Sequence, residues 1–236
     1  LTFNQSFQTN QVKHMFSKLA FSAIVIANLA ACTSAPRQVP LLSEDSFEGW
    51  TVKSLLGDLK NYQIKDGVVT ATSPQGADSF LCSDKSYRNF ELELEFKLDE
   101  KDGVYMNSGI QLRSCVKKDP KGRDSITGWQ CEIDPSSRAW TAGIYEEGQG
   151  RGWLQPKKNA GMEGKFAGGQ NFRHGEWNHL RIVCEGPRVR TWLNHSPAVD
   201  LVDPQGATEG FIALQAHNGP PGRTYHFRKI HITELP

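Results

Sequence analysis

The stretch TGWQCEID, Thr127 to Asp134, holds two carboxylates and an amide at alternate positions. Side chains alternate along a strand, so Trp129, Cys131 and Ile133 take one face and Gln130, Glu132 and Asp134 the other. The first face is core material. The second can accept and donate hydrogen bonds and move a proton. Other segments of the same parity offer partners. Gln111 and Arg113 follow Asn107-Ser108-Gly109, Gln215 and His217 lie in IALQAH, and Glu95 lies in NFELELEFKL. Together they would form a polar trough on one exposed sheet face, suited to a hydroxyl-rich ligand such as a sugar. Arg113 could pair with Glu95 or Glu132 and hold the carboxylate ionised. His217 is the side chain there that can change charge near neutrality. Glu91, Glu93 and Lys97 read as a solvated face, and His179, His226 and His231 as surface or structural histidines.

Strands must position these residues. Phe90, Leu92, Leu94, Phe96 and Leu98 alternate with Glu91, Glu93, Glu95 and Lys97, which predicts a half-buried strand. SGIQLRS, WNHLRIVCE, RVRTWLN, EGFIALQAH and FRKIHITEL repeat the pattern, and YQIKDGVVTAT predicts a hairpin turning at Asp66-Gly67. The fold class expected is all-β, a two-sheet antiparallel sandwich or barrel. Residues 146–171, glycine-rich and mixed in charge, read as a long loop, with Trp153 and Phe166 able to pack it down as a rim or lid. Motifs for a serine nucleophile elbow, a phosphate loop or a histidine-glutamate metal pair are absent.

The N-terminal part has a different character. Met15 opens MFSKLAFSAIVIANLAAC, in which Lys18 flanks an apolar run from Leu19 to Leu29. The run is shorter than the roughly 20 residues of a bilayer span and has secretory proportions. Its end, Leu29-Ala30-Ala31-Cys32, resembles a bacterial lipobox. The expectation is an upstream extension over 1–14, a lipoprotein signal peptide over 15–31, a lipidated Cys32 with linker to 40, and one domain over 41–236. That places the domain in a bacterial cell envelope, periplasmic or at the outer membrane, touching membrane only through its lipid. Formal net charge is +1, which recommends no nucleic-acid partner. Cys82, Cys115, Cys131 and Cys184 allow three disulfide pairings, with inert buried thiols favoured for Cys131 and Cys184. Oligomeric state is not legible.

An ordered set of motifs carries a family resemblance. FEGW, IKDGVV, YRNFELELEFKL, NSGIQLR, GWQCEID, TAGIY, GEWNHLRIVCEG, WLN, EGFIALQAH and FRKIHI run in order from about Leu41 to Leu235. The chain resembles the 3-keto-disaccharide hydrolase domain family. The resemblance implies a concanavalin A-like jelly roll whose concave sheet carries the ligand site. It departs where Asn194-His195 replaces Asn-Gly, in a hairpin turn, and in the fuller 146–171 segment. The implied activity is cleavage of a glycoside already oxidised at C3. The ketone acidifies C2–H, a base removes that proton, the enediolate expels the C1 oxygen, and water can add back. On this reading Glu132 or His217 is the base and Arg113, or a divalent metal ion, steadies the enediolate. Glu95, Asn107, Gln111, Gln130, Asp134, Tyr145 and Gln215 bind the sugar. Glu132, Asp134 and His217 are the candidate metal ligands. Two other readings stand. A lectin-like module would bind sugar without cleaving it, using Trp129, Trp140, Trp153 and Trp177 as stacking platforms. A two-carboxylate glycosidase could use Glu132 and Asp134, whose Cα atoms would lie about 6.5–7 Å apart on one strand face.

Overall fold

The structure is a computed structural model and describes residues 35–53, 59–99, 106–119, 121–157, 166–219 and 222–236. The extension, signal peptide and Cys32 expected from the sequence lie outside the described residues, as do Thr33 and Ser34 of the linker. Residues Ala35–Pro236 form one compact unit. Among the described residues no helix is long and apolar enough to cross a membrane.

Two antiparallel sheets face each other. The first runs β13 (Ser196–Val202), β12 (Arg188–Leu193), β11 (Asn178–Glu185), β6 (Phe90–Leu98), β15 (Thr224–Glu234), β4 (Val68–Thr72), β3 (Tyr62–Lys65), with β1 (Val39–Pro40) added on β15. The second runs β10 (Gly152–Gln155), β9 (Ile144–Glu147), β8 (Asp124–Ile133), β7 (Ser108–Lys118), β14 (Phe211–Ala216), β5 (Ser79–Ser83), β2 (Trp50–Lys53). Every strand expected from alternation is present, and the sandwich is the expected jelly roll. Asp66 and Gly67, with φ of 51° and 72°, turn β3 into β4. Asn194 and His195, with φ of 49° and 69°, turn β12 into β13, so the histidine stands in a left-handed position that favours glycine.

The alternation of β6 buries Phe90, Leu92, Leu94, Phe96 and Leu98 against Ile110, Leu112, Trp129, Cys131 and Ile133 of the second sheet. Its polar side faces outward from the first sheet. There Arg181 grips Glu91 through Nε and Nη2 at 2.8 and 2.7 Å, and Glu95 takes Arg228 Nε at 2.7 Å and Lys229 Nζ at 2.9 Å. This corrects the expectation for Glu95. It belongs to an ion-pair ladder on the first sheet, and the hydrophobic core separates it from Glu132.

Arg113 is corrected for a different reason. Leu112 stands opposite Trp129, but the next pair is Cys115 with Thr127. Arg113 and Ser114 therefore share one partner, Gly128, in a β-bulge. Arg113 takes φ of 48°, and the parity of β7 changes there. Its side chain turns inward and is buried over the Trp129 ring, 5.6 Å from the centroid. Nε donates to Arg88 O at 2.5 Å, Nη1 to Gly186 O at 2.6 Å and Ala207 O at 3.3 Å, and Nη2 to Asn89 Oδ1 at 3.2 Å. The guanidinium thus ties three loops together at one end of the sandwich. Gly128 is required opposite, because a Cβ there would meet Ser114 Oγ at 2.3 Å and Ser114 Cα at 2.9 Å.

The segment 146–171 is partly ordered sheet rather than a loop throughout. β10 pairs with β9, setting Trp153 opposite Tyr145, and Phe166 is buried in the core. All four described cysteines are free thiols, with Cys82, Cys131 and Cys184 buried and Cys115 exposed.

Arg113→Met would remove the buried donor shared by four part-buried acceptors. It is expected to lower stability by about 3 kcal/mol. Urea unfolding measures this, and a loss below about 1 kcal/mol would mean that the guanidinium is not what fastens the loops.

Candidate active site

The outer face of the second sheet can be built row by row from the strand register. Gln215, opposite Phe80 on β5, is carried by the β14–β7 register to Gly109, which stands opposite Glu132. The next row holds Ala213, Gln111, Gln130, Tyr145 and Trp153. A third holds Phe211, Ser114, Gly128 and Glu147. On this register His217, one residue beyond β14, comes level with Asn107 at the start of β7. Five expected site residues, Gln111, Gln130, Glu132, Tyr145 and Gln215, therefore share a face, and Asn107 and His217 border it.

A directed chain of hydrogen bonds crosses this face. Ser114 Oγ donates to Gln111 Oε1 at 2.9 Å, Gln111 Nε2 to Gln130 Oε1, and Gln130 Nε2 to Glu132 Oε2 at 2.9 Å. Asn107 Nδ2 donates to the other oxygen, Glu132 Oε1. Gly109 makes room for the chain, since a Cβ there would fall 2.6 Å from Gln130 Cγ and Cδ. Glu132 is only 4% exposed, and burial pushes its carboxyl up to about 7. The two amide donors work in the opposite direction, and the charges of Asp134 and Glu147 add to the rise. Gln111 and Gln130 are buried within this chain, which makes them positioning residues for Glu132 rather than open sugar contacts.

Asp134 is spoken for. Its Oδ2 takes Arg138 Nε at 2.9 Å and Nη2 at 2.8 Å, and its Oδ1 accepts from Ser136 N at 3.1 Å. It is fully buried and shapes the turn that follows β8. The divalent metal suggested by the resemblance does not fit these residues. Glu132 is committed to two amides and Asp134 to a guanidinium, and no three His, Cys, Asp or Glu side chains among the described residues converge as ligands.

A pocket of about 430 Å³ opens on this face, lined among others by Lys53, Asp78, Phe80, Asp124, Ile126 and Glu147. β9 and β5 are four positions apart in the sheet order, yet both reach it, so the sheet is concave on this side. Ile126 lies beyond the bulge and packs with Phe80, Cys82, Phe211 and Ala213 in a small apolar cluster of its own. Asp78 connects the pocket to the rows above. It accepts from Gln215 Nε2 at 3.2 Å and from Asn218 N at 2.6 Å. Among the described residues no donor reaches the buried Gln215 Oε1.

Glu147 and Asp78 were not singled out in the sequence. The signal for Glu147 was present, because alternation through IYEE puts Tyr145 and Glu147 on one face. Assigning residue 146 onward to a loop hid it. Asp78 precedes its strand and had no such signal. Of the tryptophans considered as stacking platforms, Trp129 and Trp140 are buried in the core. Trp177 lies beneath Arg228, whose Cζ is 3.9 Å from the ring centroid. Only Trp153 stands on the site's face.

Comparison with solved structures shows the same fold elsewhere. A "Putative glycosyl hydrolase" from Parabacteroides distasonis is 23% identical, with a TM-score of 0.57 over 84% of this chain and 100% of that one. A protein of unknown function with a galectin-like fold from Bacillus subtilis is 12% identical, with a TM-score of 0.56 over 84% and 94%. The carbohydrate-binding module CBM66 from Bacillus subtilis is 17% identical, with a TM-score of 0.50 over 79% and 96%. At these identities the likeness is one of fold. No curated protein sequence matches the chain significantly. Among family models, the 3-keto-alpha-glucoside-1,2-lyase-like domain matches residues 38–233, and the chain belongs to that family.

Proposed function

We propose that the concave face binds a 3-keto glycoside and that Glu132 removes the proton at C2. One observation carries this reading: a buried carboxyl, aligned by amides on both oxygens, with its proton affinity raised to about 7 on the face that could receive a sugar. A base poised near the working pH is what abstraction next to a ketone needs. The C2–H electron pair forms the C2–C3 double bond, and the ketone oxygen takes the negative charge. Collapse of this enediolate expels the C1 oxygen and leaves a C1–C2 double bond. Water then adds at C1, and the proton held by Glu132 returns to C2, which amounts to hydrolysis.

Arg113, buried among loop carbonyls, does not serve the enediolate. The Tyr145 hydroxyl is the donor we assign to the C3 oxygen. It is half-buried beside Gln130, and burial followed by the charge of Glu147 raises its pKa, which keeps it protonated at neutral pH. The unpartnered Gln215 Oε1 supplies an acceptor for a sugar hydroxyl. His217 borders the same region, one residue beyond β14. The two-carboxylate glycosidase loses its second group, because Asp134 is locked to Arg138. The lectin-like reading loses three of its four platforms.

Glu132→Gln should retain its circular dichroism spectrum and lower turnover of a 3-keto-glucoside by about 10²–10⁴-fold. Retention of the ketosugar by wild-type protein without release of the aglycone would favour the binding module. Equal cleavage of an unoxidised glucoside would favour the classical glycosidase. Gly109→Ala, which displaces Gln130, should lower kcat while leaving a folded protein.

The pH dependence follows from the raised carboxyl. Only the ionised form accepts a proton, so kcat/KM should fall below about pH 7. In stability the sign is opposite. The unfolded carboxyl titrates near 4.3 and the folded one near 7, so the folded state holds the extra proton between them. The contribution is whole below the unfolded value and is lost as pH rises through the folded one, at up to about 1.4 kcal/mol per pH unit. Urea midpoints from pH 5 to 8 should therefore fall more in wild type than in Glu132→Gln.

A further inference from the structure

We propose that Glu147 is the general acid that protonates the departing glycosidic oxygen, and that the pocket it lines holds the leaving group. The inference rests on Glu132 acting at C2.

The remaining buried carboxylates near the site are engaged. Glu132 accepts from Asn107 and Gln130, Asp134 from Arg138, and Glu146 and Asp203 both from Arg151. Glu147 differs. Among the described residues no donor or cation pairs with its carboxyl, although it is half-buried and lines the 430 Å³ pocket. The other charged groups facing that pocket are Lys53, Asp78 and Asp124. Asp78 is bound to Gln215 and Asn218, and Asp124 to Lys118 at 2.6 Å. Lys53 Nζ lies over the Phe211 ring, 4.9 Å from its centroid. Burial, reinforced by the negative charge of Asp78, raises the Glu147 carboxyl to about 7, so much of it keeps its proton at neutral pH.

The placement suits the task. Glu147 stands opposite Gly128, so no neighbouring side chain on β8 screens it from the pocket. Four residues of β8 separate that position from Glu132, roughly 13 Å by the strand rise. The two carboxyls also sense each other, since the charge on Glu147 helps raise Glu132.

The step balances without another reagent. Glu132 takes the C2 proton. As the C1–O bond breaks, the expelled oxygen takes the proton of Glu147 and leaves as an alcohol. In the return half, Glu147 carboxylate accepts a proton from the water that adds to C1, and Glu132 gives its proton back to C2. Both carboxyls end as they began, and the net change is glycoside plus water to keto sugar plus alcohol.

Leaving-group dependence tests this. Wild type and Glu147→Gln are compared on 3-keto-glucosides whose leaving groups range from 4-nitrophenol to an alkyl alcohol. The Gln variant should lose about 10²–10⁴-fold on the alkyl substrate, the span of general acid catalysis. That loss should shrink to less than about tenfold on the 4-nitrophenyl substrate, whose anion leaves without help. Glu132→Gln should fail equally on both. A uniform loss across leaving groups, or none, in the Glu147 variant overturns the acid role while leaving Glu132 in place. Failure of wild type to cleave any 3-keto-glucoside overturns instead the reading on which it rests. Should the amide variant not fold, Glu147→Asp is read by the same criterion, a loss that grows with leaving-group pKa.

Discussion

The bulge at Arg113 and Ser114 decides what each side of the second sheet carries. Two residues opposite one Gly128 change the inward–outward rhythm of β7 at a single point. A left-handed non-glycine residue costs about 1–2 kcal/mol. Arg113 offsets that cost with hydrogen bonds to three loop carbonyls and to Asn89. In return Ser114 faces outward and begins the chain of donors that ends on Glu132. The cation is thereby spent on architecture, and the Glu132 carboxylate is held by neutral donors.

Two effects compete at Glu132. The amides of Asn107 and Gln130 favour its ionised form, and burial disfavours it. Burial wins, and the carboxyl settles near 7 instead of its ordinary value near 4.3. A cation in place of either amide would reverse the balance, as it does for Glu95, where Arg228 and Lys229 hold the carboxyl below its ordinary range despite partial burial. The same residue type thus serves stability on one sheet and is set up for proton transfer on the other. The difference lies in the charge of its neighbours.

Most of the fold was legible, because alternation is a local property and each strand announces itself. The hairpin turn at Asp66-Gly67 was legible for the same reason, whereas that at Asn194-His195 was read from the family resemblance. Gln111, Gln130, Glu132 and Gln215 fall on one face, as parity along unbroken strands predicts. Glu95 failed because parity says which residues share a face of one strand and nothing about which of two sheets that strand joins. Arg113 failed because a bulge changes parity, and no glycine at its own position signalled one. The signal lay across the ladder, in Gly128. Asp134 had the right parity, but its partner Arg138, four residues on, claims it in a turn. Glu147 was missed by ending a strand two residues too early.

The chain from Ser114 to Glu132 runs in one direction, each amide giving through nitrogen and receiving through oxygen. Among the described residues, a neutral Glu132 would find only N–H groups on its protein side, from Asn107 and Gln130. Its hydrogen has no exit along that path and can turn only toward whatever occupies the hollow. An atom lifted from one side of a bound ring would then be redelivered to that same side, so the stereocentre would be rebuilt with its original handedness instead of being scrambled by bulk water.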